Sequence, residues 1–193
     1  MDDQDEYKKS SFPEDPNFDE EMDSRIAKLV QRKYQEPEKR RRALELASTL
    51  IKADDNELRD YAEKYDGEGA GLAESILYKR GSLESEIEND TEIKKFKNIY
   101  GGAFLEFDEE REEKLVFDGP RSGWNALFKK DAEKDVEFRG NEAGYKSELR
   151  DNSVKSAKFT GKSSGAYAKL IGDSYKKAEF LGEYSGYGLI REE

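Results

Sequence analysis

Apolar side chains in the first half of the chain recur at spacings of three and four residues, which predicts successive amphipathic helices between residues 19 and 96. Their apolar faces are formed, in chain order, by Ile26, Leu29, Val30 and Tyr34; by Ala43, Leu44, Ala47, Leu50 and Ile51; by Leu58, Tyr61, Ala62 and Tyr65; and by Leu72, Ile76 and Leu77. Asp54 or Asp55 is expected to cap the third helix, and Ser82 to begin a fifth. We therefore predict a small helical domain over residues 21–93.

A glycine-rich segment, residues 67–71, interrupts this helical pattern. Glycines ahead of a helix can hold a phosphate group at the helix N-terminus. The dinucleotide-binding fingerprint, however, requires a preceding strand, and here a helix is predicted instead. We interpret the segment as a flexible turn between helices.

The second half of the chain is a repeat of 21 residues in five copies. The repeated positions are Phe96, Phe117, Phe138, Phe159 and Phe180; then Gly119, Gly140, Gly161 and Gly182; then Gly123, Gly144, Gly165 and Gly186. Apolar and polar positions alternate around each phenylalanine, as they do in strands. The glycines flank a tight corner, where a positive φ or a close backbone approach is needed.

A strand, a corner and a second strand of this length cannot form a core alone, but copies of the unit can stack. The repeat therefore predicts a parallel single-stranded β-solenoid of about five coils over residues 94–193, in an α+β protein. We expect the phenylalanine column and a column of Trp124, Tyr145 and Tyr187 to form its interior. The pattern resembles single-stranded parallel β-helices, and that resemblance implies a fold and no activity. The helical domain is expected to cap the first coil.

The opposite corner of each coil holds Asp131, Asn152 or Asp173, residues typical of turns, and it leaves open whether a short third strand follows. Lys134, Lys155 and Lys176 also fall 21 residues apart. A lysine column at strand spacing would be a strip that binds anions, or a surface compensated by the neighbouring aspartates.

The net charge of −11 is unevenly distributed, because residues 1–23 carry ten acids and only two lysines. We predict that residues 1–20 are a disordered acidic tail. Phe12 and Phe18 are candidate anchors for a partner, although the tail could equally serve solubility alone. The basic stretch at residues 25–42 includes Arg40, Arg41 and Arg42, which suit either an anionic partner or a solvated helix face.

The chain contains neither histidine nor cysteine. This composition excludes disulfides, the Ser-His-Asp and Cys-His mechanisms, and metal sites built on nitrogen or sulfur ligands, so we expect no metal and no cofactor. No apolar run reaches the roughly 20 residues needed to span a bilayer, and the acidic N-terminus does not match a signal peptide. We expect a cytoplasmic protein with no membrane association.

These features favour a non-catalytic protein-binding or scaffold protein with a protein partner and with self-association through the C-terminal end of the solenoid. One alternative is a carbohydrate-active β-helix enzyme or carbohydrate-binding module. Its carboxylates would be Asp131, Asp151 and Asp173, and its sugar-stacking rings Tyr167 and Tyr184. A second alternative is a nucleic-acid-associated protein using the basic helices, which the acidic tail disfavours.

Overall fold

The repeated phenylalanines form the interior of stacked coils in the computed structural model, which describes residues 36–88, 91–108 and 113–192. Phe96, Phe117, Phe138 and Phe159 are completely buried. Successive rings of this column, including Phe180, stack with centroids 4.6 to 4.9 Å apart. A second buried column meets the first nearly edge-on and consists of Phe107, Phe128, Leu149 and Leu170. The predicted β-solenoid of about five coils is confirmed.

The described helices are α1 (Pro37–Lys52), α2 (Asp55–Lys64) and α3 (Glu68–Lys79). Asp54 caps α2, since its carboxylate accepts the backbone N–H of Glu57 at 2.9 Å and the Glu57 side chain accepts that of Asp54 at 3.0 Å. Three of the predicted helices are thereby confirmed, and the one assigned to residues 26–34 lies outside the described residues. The described residues divide into two units at the boundary between Ile51 and Lys52, and α2, α3 and the solenoid belong to the second.

The glycine-rich segment does not form the predicted flexible turn, because Gly69 and Gly71 lie within α3. A methyl group at Gly71 would overlap the carbonyl oxygen of Ile99. The glycine therefore allows the helix backbone to approach the first coil closely.

The helix predicted from Ser82 is also wrong, since a hairpin of two strands follows α3. Its strands are β1 (Ser85–Glu88) and β2 (Thr91–Phe96), paired antiparallel. β1 shows a period of two only through its single apolar residue, Ile87, and β2 has apolar residues at Ile93 and Phe96, so the local pattern does not identify the hairpin. β2 continues directly into the solenoid as its first parallel strand.

The coils contribute strands to two sheets. The first sheet has the order β1-β2-β4-β6-β8-β10, with β4 (Lys114–Phe117), β6 (Lys134–Phe138), β8 (Val154–Phe159) and β10 (Ala178–Phe180). The second sheet has the order β11-β9-β7-β5-β3, with β3 (Glu106–Phe107), β5 (Leu127–Phe128), β7 (Glu148–Leu149), β9 (Lys169–Ile171) and β11 (Ile190–Glu192). The sequence left open whether a third strand follows the aspartate corner of each coil. Among the described residues, turns and a 3₁₀ helix (Gly172–Lys177) lie there instead. Each coil is therefore flattened between two sheets.

Glycine in the first column permits contact between the backbones of adjacent coils. A methyl group at Gly140 would overlap the carbonyl oxygen of Gly119, and one at Gly161 would overlap that of Gly140. Glycines of the second column have φ between 63° and 67° and lie against the phenylalanine rings, as Gly144 does against Phe138. Both roles predicted for the glycines are found.

The N-terminal face of the solenoid is completed by side chains of α3. Within the solenoid, the phenylalanine carbonyl oxygen accepts two backbone N–H groups of the next coil, as Phe96 does from Asp118 at 2.9 Å and Gly119 at 3.0 Å. The equivalent N–H groups of the first coil, at residues 97 and 98, donate instead to the Glu74 carboxylate at 3.0 and 3.2 Å. Glu74 therefore takes the place of a preceding coil.

Ser75 makes a second substitution of this kind. The carbonyl oxygen of Gly101 accepts the N–H of Gly123 in the next coil at 2.8 Å. In the first coil the corresponding donor, the N–H of Gly102, bonds to the hydroxyl of Ser75 at 3.0 Å. Consecutive residues of α3 thus provide acceptors that backbone carbonyls provide elsewhere.

Candidate binding surface

In each coil, three overlapping β-turns connect the strand of the first sheet to the strand of the second. In one coil, the N–H groups of Ser122, Trp124 and Ala126 each donate to the carbonyl oxygen three residues earlier, at 3.1 to 3.2 Å. The residue before each donor has a positive φ, as in a type II turn. These residues are Arg121, Gly123 and Asn125, with φ of 57°, 65° and 52°. We call this side of the solenoid the turn edge.

Backbone groups at the turn edge are paired between coils. Arg121 donates its N–H to the next coil and Gly123 donates to the preceding one, each at 2.8 Å. Asn125 again donates to the next coil, at 2.9 Å. Because these N–H groups are engaged, side chains determine what the turn edge can bind.

In each coil, one aromatic side chain of the turn edge contacts an aromatic side chain of the adjacent coil at a corresponding position. We call these side chains the aromatic row: Phe104, Trp124, Tyr145, Tyr167 and Tyr187. Neighbouring ring centroids are 5.4, 6.3, 5.5 and 5.7 Å apart in that order. The first three residues are half-buried, whereas Tyr167 is 41% and Tyr187 63% exposed. The result is a continuous, partly exposed aromatic surface along the solenoid axis.

Each coil places its ring at one of two consecutive positions and a smaller or polar residue at the other. The pairs are Ala103 and Phe104, Trp124 and Asn125, Tyr145 and Lys146, Ala166 and Tyr167, and Tyr187 and Gly188. The last pair shows why: the Tyr167 ring lies where a methyl group on Gly188 would stand. This exchange keeps one ring per coil in the aromatic row.

The prediction that Trp124, Tyr145 and Tyr187 lie in the interior is therefore wrong. It extended the two-residue alternation of strands through the corner. Three turns with positive φ intervene, so Ala126 and Phe128 face inward while Trp124 does not.

Cationic side chains lie beside the aromatic row. The Lys146 ammonium is 5.5 Å from the centroid of the Tyr145 ring, within cation–π range. Arg121 donates to Glu142 at 2.6 Å and to the Tyr100 hydroxyl at 3.0 Å, and these hydrogen bonds raise the pKa of its guanidinium. The rings are thus bordered by the exposed Lys146 ammonium group and by the ion pair of Arg121 with Glu142.

The outer faces of the two sheets carry charges of both signs that pair across coils. On the first sheet, Lys114 contacts Glu137 at 3.1 Å. On the second, Lys129 contacts Glu106 at 2.9 Å, as Lys169 contacts Glu192 at 2.8 Å. These faces are compensated internally.

At the opposite corner of the coils, the carboxylates accept hydrogen bonds from groups in the turns. Asn152 donates its side-chain amide to Asp131 at 3.1 Å and its backbone N–H to Asp173 at 3.2 Å, while Asp151 accepts the N–H of Asp173 at 3.1 Å. The hydrogen bond from Asn152 lowers the pKa of Asp173, whereas a general acid in glycoside hydrolysis needs a raised one.

The tyrosines assigned to sugar stacking, Tyr167 and Tyr184, lie on the turn edge. The turn edge precedes the second-sheet strand and the aspartate corner follows it, so the two sets occupy opposite edges of the flattened coil. The structure does not bring the carboxylates and these rings together.

The predicted lysine column does not form. The register of β6 against β8 shifts between Lys134 and Asp135, so Lys134 pairs with Val154 and Lys155 is left out. Lys134 is buried with 2% exposure, Lys155 is exposed, and Lys176 belongs to the 3₁₀ helix. A β-bulge therefore breaks the 21-residue correspondence at this position.

Arginines 40–42 lie on α1, where Arg41 and Arg42 contact Glu38 at 3.0 and 3.3 Å. Their positive charge is partly balanced along the helix itself. The other proposed anchors, Phe12 and Phe18, lie outside the described residues.

Within residues 36–88, 91–108 and 113–192, no cluster of three or more acidic side chains is arranged to hold a metal ion. No helix in that part of the chain combines the length and apolar character needed to cross a bilayer. The comparisons with known proteins give the same outcome at three levels: no family model, no curated protein and no solved structure matches this chain.

Proposed function

We propose that this is a non-catalytic binding protein whose solenoid is the platform and whose aromatic row is the contact surface for a protein partner. The observation that carries the proposal is the unbroken row of five partly exposed rings along one edge. Aromatic side chains are enriched at protein interfaces because they bury a large area with few rotatable bonds. Here the fold already fixes them in place.

Two further observations support this surface over the others. The sheet faces pair their own charges across coils, so an incoming partner would have to break those contacts. The aspartate corner uses its carboxylates to satisfy backbone N–H groups. The aromatic row instead offers partly exposed apolar rings, with Tyr167 41% and Tyr187 63% exposed.

Affinity capture from native lysate with the full chain tests the proposal. We compare wild type with Tyr145→Ser/Tyr167→Ser, and use Lys158→Ser on the outer face of the first sheet as the matched control. A protein captured by wild type and the control but lost with the double variant supports the proposal. Equal capture by all three, or capture of nothing, would contradict it.

Self-association through the C-terminal coil stays a prediction. Leu181 and Tyr184 of that coil are 67% and 65% exposed. On the second sheet, Arg191 pairs with Leu170, so a charged residue takes the position that a buried leucine fills one coil earlier. We expect a concentration-dependent increase in the sedimentation coefficient that Leu181→Lys removes. Concentration-independent sedimentation of wild type would contradict it.

A further inference from the structure

The angles between neighbouring rings limit what the aromatic row can bind. Successive rings are turned by 84°, 46°, 61° and 87° relative to each other. Rings so inclined do not form the flat platform on which a row of sugar rings could stack. They form an uneven apolar surface in which neighbouring rings contact each other and present both faces and edges.

The backbone of the turn edge imposes a second limit. Its N–H groups at Arg121, Gly123 and Asn125 are engaged with neighbouring coils at 2.8 to 2.9 Å. A strand that needs backbone partners therefore gains little from binding here. A polyproline II segment suits the surface better, because it makes no internal backbone hydrogen bonds and is recognised by aromatic-lined clefts.

The dimensions agree with such a segment. The aromatic row spans four coil-to-coil steps, which at the strand spacing of about 4.8 Å is about 19 Å. A polyproline II helix rises about 3.1 Å per residue, so about six residues cover the same length. One short segment can thus contact every ring.

The charges beside the rings indicate the polarity of the segment. Lys146 lies against the Tyr145 ring with its ammonium exposed, and Lys162 lies 5.9 Å from the centroid of the Tyr184 ring. Glu183 pairs with Lys162 at 3.4 Å, so the ammonium group of Lys146 is the charge that the segment would meet. An acidic side chain flanking the prolines would pair with it.

We infer that the aromatic row binds an extended, proline-containing acidic segment of a partner protein, lying along the solenoid axis with its prolines against the exposed rings. This inference rests on the proposed function and specifies the chemistry of the partner.

Selection from a random decapeptide display library on the full chain tests the inference, with Tyr145→Ala/Tyr167→Ala as counter-selection and Lys158→Ala as the control surface. We expect enriched peptides with at least two prolines and a net negative charge, at least tenfold depleted on the double variant and unchanged on the control. Enrichment of basic or proline-free peptides, equal enrichment on the double variant, or no enrichment overturns the inference.

Binding by a selected peptide is then measured through Trp124, the only tryptophan of the chain and a member of the aromatic row. We expect a saturable change in its emission that weakens at least fivefold when the prolines of the peptide are replaced by serine. An unchanged affinity after that replacement overturns the inference. If lysate capture depends on the aromatic row while the peptide experiments fail, the proposed function stands and only the partner chemistry is refuted.

Discussion

At the scale of single residues, the repeat is maintained by positions that tolerate no larger side chain. Gly140 lies where the backbones of two coils meet, and Phe138 fills the space between two stacked rings. The first position is limited by backbone atoms, which cannot move aside without breaking the ladder. The second is limited by the volume between the two neighbouring rings. We therefore expect substitutions at the two positions to destabilise the fold by different mechanisms.

Gly140→Ala is expected to lower the free energy of unfolding by about 3 kcal/mol or more, because overpacking against fixed backbone adds to lost interstrand hydrogen bonds. Urea denaturation measures the change. Gly67→Ala is the matched control: no atom lies within 4 Å of the added methyl group, and only its φ of 111° is unfavourable. That control is expected to cost about 1–3 kcal/mol through backbone strain alone, less than Gly140→Ala. Equal losses in the two variants would contradict the backbone contact.

Phe138→Ala is expected to cost about 3–5 kcal/mol, the range for emptying a fully packed aromatic site. Phe180→Ala should cost about 1–2 kcal/mol, because Phe180 is only half-buried and stacks on one neighbour at 4.7 Å. Thermal and urea unfolding of both variants give the comparison. A larger loss at Phe180 than at Phe138 would be incompatible with the stacked column.

At the scale of elements, α3 and the first coil are joined by side chains that imitate a strand edge. Glu74 is buried with 5% exposure and accepts three donors from residues 97 and 98, including the Asn98 amide at 3.0 Å. Burial raises the pKa of its carboxyl group, while the hydrogen bonds from those residues act in the opposite direction. The stability of this junction therefore depends on the protonation state of Glu74.

The sign of this coupling follows from the raised pKa of Glu74. Between its ordinary value of 4.5 and the raised value, the folded state binds the proton more tightly than the unfolded chain. The contribution of Glu74 to the free energy of unfolding therefore falls as pH rises through this window. Glu74→Gln removes the titration, so the stability of wild type minus that of the variant should decrease between pH 4 and pH 8 in urea titrations. A difference that stays constant or increases would contradict the raised pKa.

The sequence was sufficient to predict the fold where each copy repeats the same residue in the same geometry. Phe96, Phe117 and Phe138 align directly because their strands pair in register. It was insufficient where local geometry departs from the repeat: a bulge at Lys134 removes one residue from the correspondence. Trp124 was misplaced because turns with positive φ reverse the direction that strand alternation implies.

At the scale of the whole repeat domain, each coil contacts only its neighbours, so the array should tolerate the removal of a complete unit. Strands of the two sheets pair with the equivalent strands one coil away. A deletion of one period joins equivalent positions, whereas a shorter deletion does not. Repeat length, rather than any single contact, then determines whether the chain folds.

Deletion of residues 140–160 joins Arg139 to Gly161 and removes 21 residues, one period. We expect cooperative urea unfolding with a lower midpoint and retained far-ultraviolet circular dichroism. Deletion of residues 140–149, the control, removes a turn edge and β7 but leaves β8, and should abolish the cooperative transition. Loss of cooperativity in the 21-residue deletion would contradict the one-dimensional arrangement.

The acceptors on Glu74 and Ser75 also have a kinetic consequence. A coil gains its interstrand hydrogen bonds only against a surface that is already ordered, and α3, once it packs against α2, offers such a surface from residues close together in the chain. Because α3 precedes every coil in the chain, it leaves the ribosome first, and each coil can then assemble on the one before it as translation proceeds. The cap therefore favours vectorial folding from the N-terminal side, without waiting for distant residues to be synthesised.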